Sequence, residues 1–153
     1  MLDSKESMKF EINFEYIPDY VLIRTEGEAS VRDFDELLTT LVDSPEWVTG
    51  TDQIVDHRKL FGGHLTPNDV FKIKNIVKNH SKKLGNGCAA FVVRGDFEHG
   101  KVRMYELIGG VSFHFKVRIC YSIHKAVEWL KQEKKFSREA SGNHIKTINL
   151  AHS

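Results

Sequence analysis

Three neighbouring charged residues in the middle of the chain have side chains that could bind or activate a ligand. Asp56, His57 and Arg58 come at the end of an apolar run that predicts a short buried strand over residues 53–56. In an open α/β sheet, the carboxyl end of a strand faces the crevice in which ligands bind. Alternation places Asp56 and Arg58 on one side of the strand and His57 on the other. Two interpretations follow: an Asp56–Arg58 ion pair that fixes the strand end, or an Arg58 guanidinium that binds an anionic ligand.

A second group of polar residues follows the next predicted strand. Arg94 and Asp96 come after the apolar run of residues 88–93, and His99 and Arg103 share one face of a predicted helix. If the two strands are parallel neighbours, both turns lie together and form a surface that binds a ligand or a partner. The alternative is structural, with Asp96 as a helix cap and the other side chains in solvent.

Thr66 begins a predicted helix, because Pro67 follows it and Asp69 lies three residues on. The simplest interpretation is an ordinary N-cap worth roughly 1 kcal/mol. The functional alternative is phosphorylation of Thr66, because a phosphate at a helix N-terminus meets free N–H groups and the positive end of the helix dipole.

Three lysines recur every four residues along the same predicted helix, namely Lys74, Lys78 and Lys82. Such a stripe is usually a solvated face. Its functional interpretation is contact with anionic lipid headgroups or with an acidic partner. Nucleic acid is not predicted as a partner, because the aromatic residues follow core alternation and form no exposed stacking platform.

The spacing of the remaining residues argues against metal and cofactor chemistry. The eight histidines include no HxH or HExxH pattern, and the two cysteines form no CxxC pair. The Gly62–Gly63 pair lacks the lysine of a phosphate-binding loop. We therefore predict no metal and no cofactor.

A small enzyme that uses a His/Asp pair is the alternative to a non-enzymatic module. Its base would be His57 or His99, with Asp56 or Asp96 beside it. No clear nucleophile accompanies such a base, which favours the non-enzymatic interpretation. A histidine nitrogen that lies near a carboxylate and faces an open pocket would favour the enzymatic interpretation.

Length and composition predict a single domain. The chain has 153 residues, of which 41% are apolar and 28% charged, as in ordinary globular proteins. The polar composition after residue 133 predicts a flexible tail over residues 134–153, which leaves residues 1–133 as the domain. No signal peptide or membrane span is visible, so we predict a cytoplasmic protein, with peripheral membrane contact as an option.

Periodicity predicts an α/β fold with a mixed five-stranded sheet and about four helices, in the order ββαβαβαβα. The first two strands form an antiparallel hairpin around Pro18, and the later strands are joined by helices in right-handed parallel crossovers. The predicted strands cover residues 9–16, 20–26, 53–56, 88–93 and 115–121, and the helices residues 31–43, 67–84, 96–109 and a segment from Ser122 onward.

The order and spacing of these segments resemble the SpoIIAA-like (STAS-like) family of small bacterial proteins over residues 9–131. The matching segments are Asp56 to Arg58, Thr66–Pro67, Cys88 to Val93, Gly100 to Met104, and Ala126 to Leu130. The resemblance implies a fold related to anti-sigma-factor antagonists and to CRAL-TRIO lipid carriers.

The same resemblance implies a non-enzymatic binding or regulatory module. Its partner would be a protein, under phosphorylation control as in the antagonists, or a small apolar or amphipathic ligand as in the carriers. The antagonists carry their switch serine in an Asp-Ser-Ser-Gly-like stretch. Here residues 62–66 depart from that motif, and Thr66 alone falls at the matching helix start. A homodimer is also expected, because edge strands need cover.

Overall fold

The computed structural model describes residues 8–95, 108–109 and 115–152, with residues 139–152 as helical backbone. Its elements are five strands and three helices: β1 Lys9–Asn13, β2 Val21–Glu28, α1 Val31–Asp43, β3 Gln53–Phe61, α2 Pro67–Leu84, β4 Cys88–Val92, β5 Lys116–Cys120 and α3 Ile123–His152.

The strands form one mixed sheet in the order β1-β2-β3-β4-β5. Strands β1 and β2 are an antiparallel hairpin, and β3, β4 and β5 follow in parallel. This architecture confirms the predicted fold class. The apolar residues 88–92 are the interior strand β4, paired with β3 and β5. Phe91 packs in the cluster on one face of the sheet, and Ala90 and Val92 pack in the cluster on the other, as the lack of alternation indicates.

Helices α1 and α2 cover one face of the sheet, and α3 covers part of the other. Because successive side chains of a strand point to opposite faces, the strands contribute apolar residues to a core on each face of the sheet. On the first face, Ile23 and Val55 pack with Phe34 and Ile73. On the second face Trp129 of α3 joins a cluster of Leu22, Ile54, Ala90, Val92, Cys120, Ala126 and Leu130. A leucine, isoleucine or valine side chain in these clusters contributes roughly 1.5–3 kcal/mol when fully buried.

Local signals in the sequence set the helix ends. Ser30 accepts a hydrogen bond from the Asp33 N–H and caps α1. Gly85 ends α2 with φ of 81°, and a Cβ there would lie 2.5 Å from the backbone nitrogen of Gly50. Only glycine fits that close approach, which anchors the end of α2 against the loop before β3.

Several predicted boundaries are wrong. Strand β3 does not end at Asp56 but continues to Phe61, because its later residues pair with the second half of β2. Helix α3 continues to His152, since lysine-, glutamate- and arginine-rich residues favour a helix even without apolar periodicity. The domain division at residue 133 and the flexibility of the tail stay predictions. The helix predicted over residues 96–109 lies outside the described residues apart from Ile108 and Gly109.

Candidate functional site

The Asp56–Arg58 segment lies in the middle of β3, at an irregularity in its pairing with β2. Arg24 pairs with Asp56 and Glu26 pairs with Lys59, so β3 carries one more residue than β2 across this interval. Such a β-bulge disrupts the ladder locally and redirects side chains. The sequence analysis missed it because no glycine marks the position.

The Asp56 carboxylate accepts a backbone N–H at the bulge and forms an ion pair with the Arg58 side chain. Its Oδ1 accepts the Arg58 backbone N–H at 3.1 Å and the Arg58 Nε–H at 2.9 Å, and its Oδ2 accepts the Nη2–H at 2.9 Å. Arg24 approaches the same carboxylate from β2, with Nε 3.6 Å from Oδ2. One carboxylate therefore holds two guanidinium groups, and the predicted Asp56–Arg58 ion pair is confirmed.

Burial and the arginines act in opposite directions on the ionisation of this cluster. Burial alone would raise the pKa of Asp56, but the hydrogen bonds from Arg58 and the charges of Arg58 and Arg24 hold it below its ordinary value. The same contact raises the pKa of Arg58. The carboxylate side chain is 9% exposed, whereas those of Arg58 and Arg24 are 39% and 51% exposed. A nearly buried anion thus orients two cations that remain open to solvent.

The two arginines border an open depression of about 500 Å³ on the sheet. Four of its lining residues are basic and three are acidic, which leaves a small positive excess; they are Lys9, Arg24, Arg58, Lys59, Glu11, Glu26 and Asp56. Phe61, two residues beyond Lys59 on the same strand, is 51% exposed. Alternation after the bulge places Phe61 on the same face as Lys59. We call the face formed by this depression and Phe61 the open sheet face.

His57 points the other way, into the core between the sheet and α1. It is 4% exposed, with its ring 6.0 Å from that of Phe34 and 5.6 Å from that of Phe91. Its Nδ1 lies 2.7 Å from the hydroxyl of Thr25. Burial lowers the pKa of His57 to about 4, with a smaller opposing effect from the Asp56 charge. The ring is therefore neutral at physiological pH, and it lies across the sheet from the carboxylate of Asp56. The predicted catalytic pair of these two side chains is not formed.

A small apolar cavity of about 60 Å³ lies beside His57, between the sheet and helices α1 and α2. Gln53 and His57 are the polar residues of its lining. Ligand pockets typically measure about 300–1,000 Å³, so this cavity is too small to enclose a lipid-like molecule as it stands.

Thr66 caps α2 through a reciprocal pair of hydrogen bonds. Its Oγ1 accepts the Asp69 backbone N–H at 3.1 Å, and the Asp69 Oδ2 accepts the Thr66 backbone N–H at 2.9 Å. Hydrogen bonds from the backbone and hydroxyl of Thr66 lower the pKa of Asp69. The predicted cap is confirmed, and Thr66 is exposed to solvent. Its phosphorylation stays a prediction.

The remaining predicted residues are only partly described. Arg94 is exposed just beyond β4, which runs parallel to β3 as the prediction required. The pairing of β3 with β4 ends at Asp56 and Val92, so Arg94 follows the end of β4 whereas Arg58 lies in the continuing part of β3. Asp96, His99 and Arg103 lie outside the described residues. Lys78 and Lys82 are exposed on α2, whereas Lys74 is half-buried.

The described residues contain neither a metal-binding cluster nor a helix suited to span a membrane. Within residues 8–95 and the described parts of the C-terminal half, no cluster of histidine, cysteine and acidic side chains could hold a metal ion. None of the helices in this part of the chain combines the length and the apolar character that a membrane span requires. Cys88 and Cys120 are free thiols, and burial raises the pKa of Cys88 to about 11.

Comparison with solved structures identifies the fold. No protein-family model and no curated protein matches the sequence. An uncharacterised protein of the DUF3478 family from Shewanella loihica, described as having a SpoIIAA-like fold, matches with a TM-score of 0.54 at 14% identity, over 81% of this chain and 94% of that one. An anti-sigma factor antagonist from Mycobacterium paratuberculosis matches with a TM-score of 0.50 at 15% identity, over 82% and 96%. The chain therefore has a SpoIIAA/STAS-like fold.

Proposed function

We propose that this protein is a non-enzymatic regulatory module that binds a partner protein through the open sheet face. The observation that carries the proposal is the orientation of Arg24 and Arg58 by the nearly buried Asp56. Arginines that are fixed before binding lose little side-chain entropy when they meet an acidic group. The fold supports the proposal by analogy, because one solved protein with this fold is named an anti-sigma factor antagonist.

The composition of this face also suits a protein partner. Interface hot spots are enriched in arginine and aromatic residues. Arg58 and the exposed Phe61 are three residues apart on β3. Asp56 occupies the Nε–Nη2 edge of the Arg58 guanidinium, so a carboxylate or phosphate of the partner would meet the remaining Nη1–Nη2 edge, while Phe61 would supply apolar area.

Thr66 is the position at which we propose that binding is controlled. It is exposed at the start of α2, five residues after the end of β3. A phosphate there would be favoured by the helix N-terminus and disfavoured by the adjacent Asp69 carboxylate, and it would add up to two negative charges five residues along the chain from Phe61. Mass spectrometry of the protein from its own cells tests this step, which fails if Thr66 carries no phosphate under any growth condition.

The binding proposal is tested by comparing two arginine variants. Full-length tagged protein would be recovered from its own cells, and co-purified proteins would be quantified for wild type, Arg58→Ala and Arg118→Ala. Arg118 is an exposed arginine on edge strand β5 and serves as the matched control. We expect Arg58→Ala to reduce recovery of a specific partner about tenfold or more, as for a hot-spot residue, and Arg118→Ala to retain it.

Arg58→Lys separates geometry from charge in the same experiment. Lysine keeps the positive charge but cannot form the planar two-pronged contact, so partner recovery should stay low. Equal recovery with wild type, Arg58→Ala and Arg118→Ala would refute the proposed surface. Equal loss in both alanine variants would show that general positive charge, and not the oriented Arg58, attracts the partner.

A further inference from the structure

A second groove lies at the other end of the sheet, between α3 and the turn that joins β1 to β2. Its volume is about 330 Å³, within the range of ligand sites. Tyr20, Val127 and Leu130 give it apolar walls. Tyr20 directly precedes β2, so this groove lies at the amino end of that strand, whereas Phe61 lies at the carboxyl end of β3.

The groove is strongly basic. Four cationic side chains of α3 line it, and Asp19 is its acidic residue; the cations are Lys131, Lys134, Lys135 and Arg138. The sequence analysis did not identify this site because it assigned residues 134–153 to a flexible tail and predicted no helix there. The helix instead places these residues within two turns of each other.

Among the side chains that the structure describes, the acidic residues nearby compensate only part of this charge. Lys134 donates to the backbone oxygen of Asp19 at 2.7 Å and lies 3.7 Å from its carboxylate, which joins the two sides of the groove. Glu133 of α3 accepts a hydrogen bond from Lys116 of β5 and is outside the groove lining. The other three bases, Lys131, Lys135 and Arg138, line the groove and are exposed to solvent.

The shape of the groove favours a narrow ligand over a flat one. Leu130 is 2% exposed, and Val127 is half-buried, so the apolar surface is recessed below the exposed bases. A bilayer surface would reach the lysines but not this recess. A single apolar side chain can enter the recess while flanking carboxylates meet the bases.

We propose that this groove binds an acidic segment of a partner protein, with one apolar side chain of that segment seated against Tyr20, Val127 and Leu130. Charge complementarity supplies the attraction, and the recessed apolar wall selects segments in which an apolar residue lies between acidic ones. This site is separate from the open sheet face and does not depend on it.

The test uses a fluorescein-labelled peptide with a central leucine flanked on both sides by glutamates. Binding to the full-length protein would be followed by fluorescence anisotropy, and methyl-labelled NMR spectra would report on Val127 and Leu130. A Lys131→Glu/Lys135→Glu variant reverses two groove charges. Arg32→Glu/Lys72→Glu, on helices α1 and α2, makes the same change in net charge elsewhere and is the control.

We expect the groove reversal to weaken peptide binding about tenfold or more, since two exposed ion pairs become repulsive contacts, and the control to change it less than about twofold. The methyl signals of Val127 and Leu130 should shift with the leucine peptide and not with a peptide that has glycine in its place. The proposal is overturned if the peptide does not bind, or if both double variants weaken it equally. Retention on phosphatidylglycerol vesicles without peptide binding would assign the bases to a membrane instead.

Discussion

The buried histidine leads to a specific pH dependence of stability. His57 is 4% exposed and its pKa in the folded protein is about 4, against an ordinary value of 6.5. The folded state therefore excludes a proton that the unfolded chain accepts. We predict that the protein loses stability as the pH falls from 7 to 5, and that replacing His57 with glutamine removes this part of the loss.

The sign and size follow from proton linkage. Above pH 6.5 the histidine is neutral in both states and contributes no pH dependence. Between 6.5 and about 4 the unfolded state alone binds the proton, so each pH unit costs the fold about 1.4 kcal/mol. The loss should reach about 2 kcal/mol at pH 5 and become constant below the folded pKa of about 4.

Urea denaturation of wild type and His57→Gln at pH 7, 6 and 5 measures this effect. Glutamine can still hydrogen-bond to Thr25 but does not titrate, so the difference between the two slopes isolates His57 and cancels the other titrating groups. The free energy of unfolding should fall by about 2 kcal/mol more in wild type than in the variant. Parallel pH profiles, or an NMR titration in which the His57 ring takes up its proton above pH 6, would refute the burial argument.

Substitutions at three further positions test the local structure by chemical denaturation. Asp56→Asn should cost about 1–2 kcal/mol, because the half-exposed Arg58 loses its anionic partner and the Nδ2 of asparagine cannot accept the hydrogen bond from the Arg58 Nη2; no change would mean that the pair contributes nothing to the fold. Thr66→Ala should cost about 1 kcal/mol and Thr66→Ser much less, since serine restores the cap; equal losses would contradict the capping role. Gly85→Ala should cost more than about 2 kcal/mol, because φ is 81° and its Cβ would lie 2.5 Å from the Gly50 nitrogen; a stable variant would show that this contact gives way.

The sequence predicted the parts of the fold that depend on local periodicity. Alternation over residues 9–16 and the apolar residues of β4 predicted strands correctly, and Thr66 and Gly85 gave the correct ends of α2. These features are encoded within a few residues of each other. The extent of β3 depends instead on its pairing with β2, a contact between distant segments, and so its continuation to Phe61 was missed.

In the candidate site too, local patterns predicted some features, whereas contacts between distant segments determine the others. Alternation alone placed Asp56 opposite to His57 and beside Arg58, and the structure confirms that arrangement. Arg24 joins the cluster through the register of β2 with β3, which no local pattern specifies. The depth of His57 in the core likewise depends on the helix packed above it, so its loss of charge could not be predicted from the sequence.

Site-specific photo-crosslinking in cells tests the proposed binding face most directly. A photoreactive amino acid would replace Phe61 on the open sheet face or, as the control, Phe71 on α2, which lies outside both proposed binding sites; both residues are large, apolar and more than half exposed, at 51% and 57%. We predict a discrete crosslinked product with a partner protein from position 61 and none of that mass from position 71. A product from position 71 alone, or equal products from both, would contradict the proposed face.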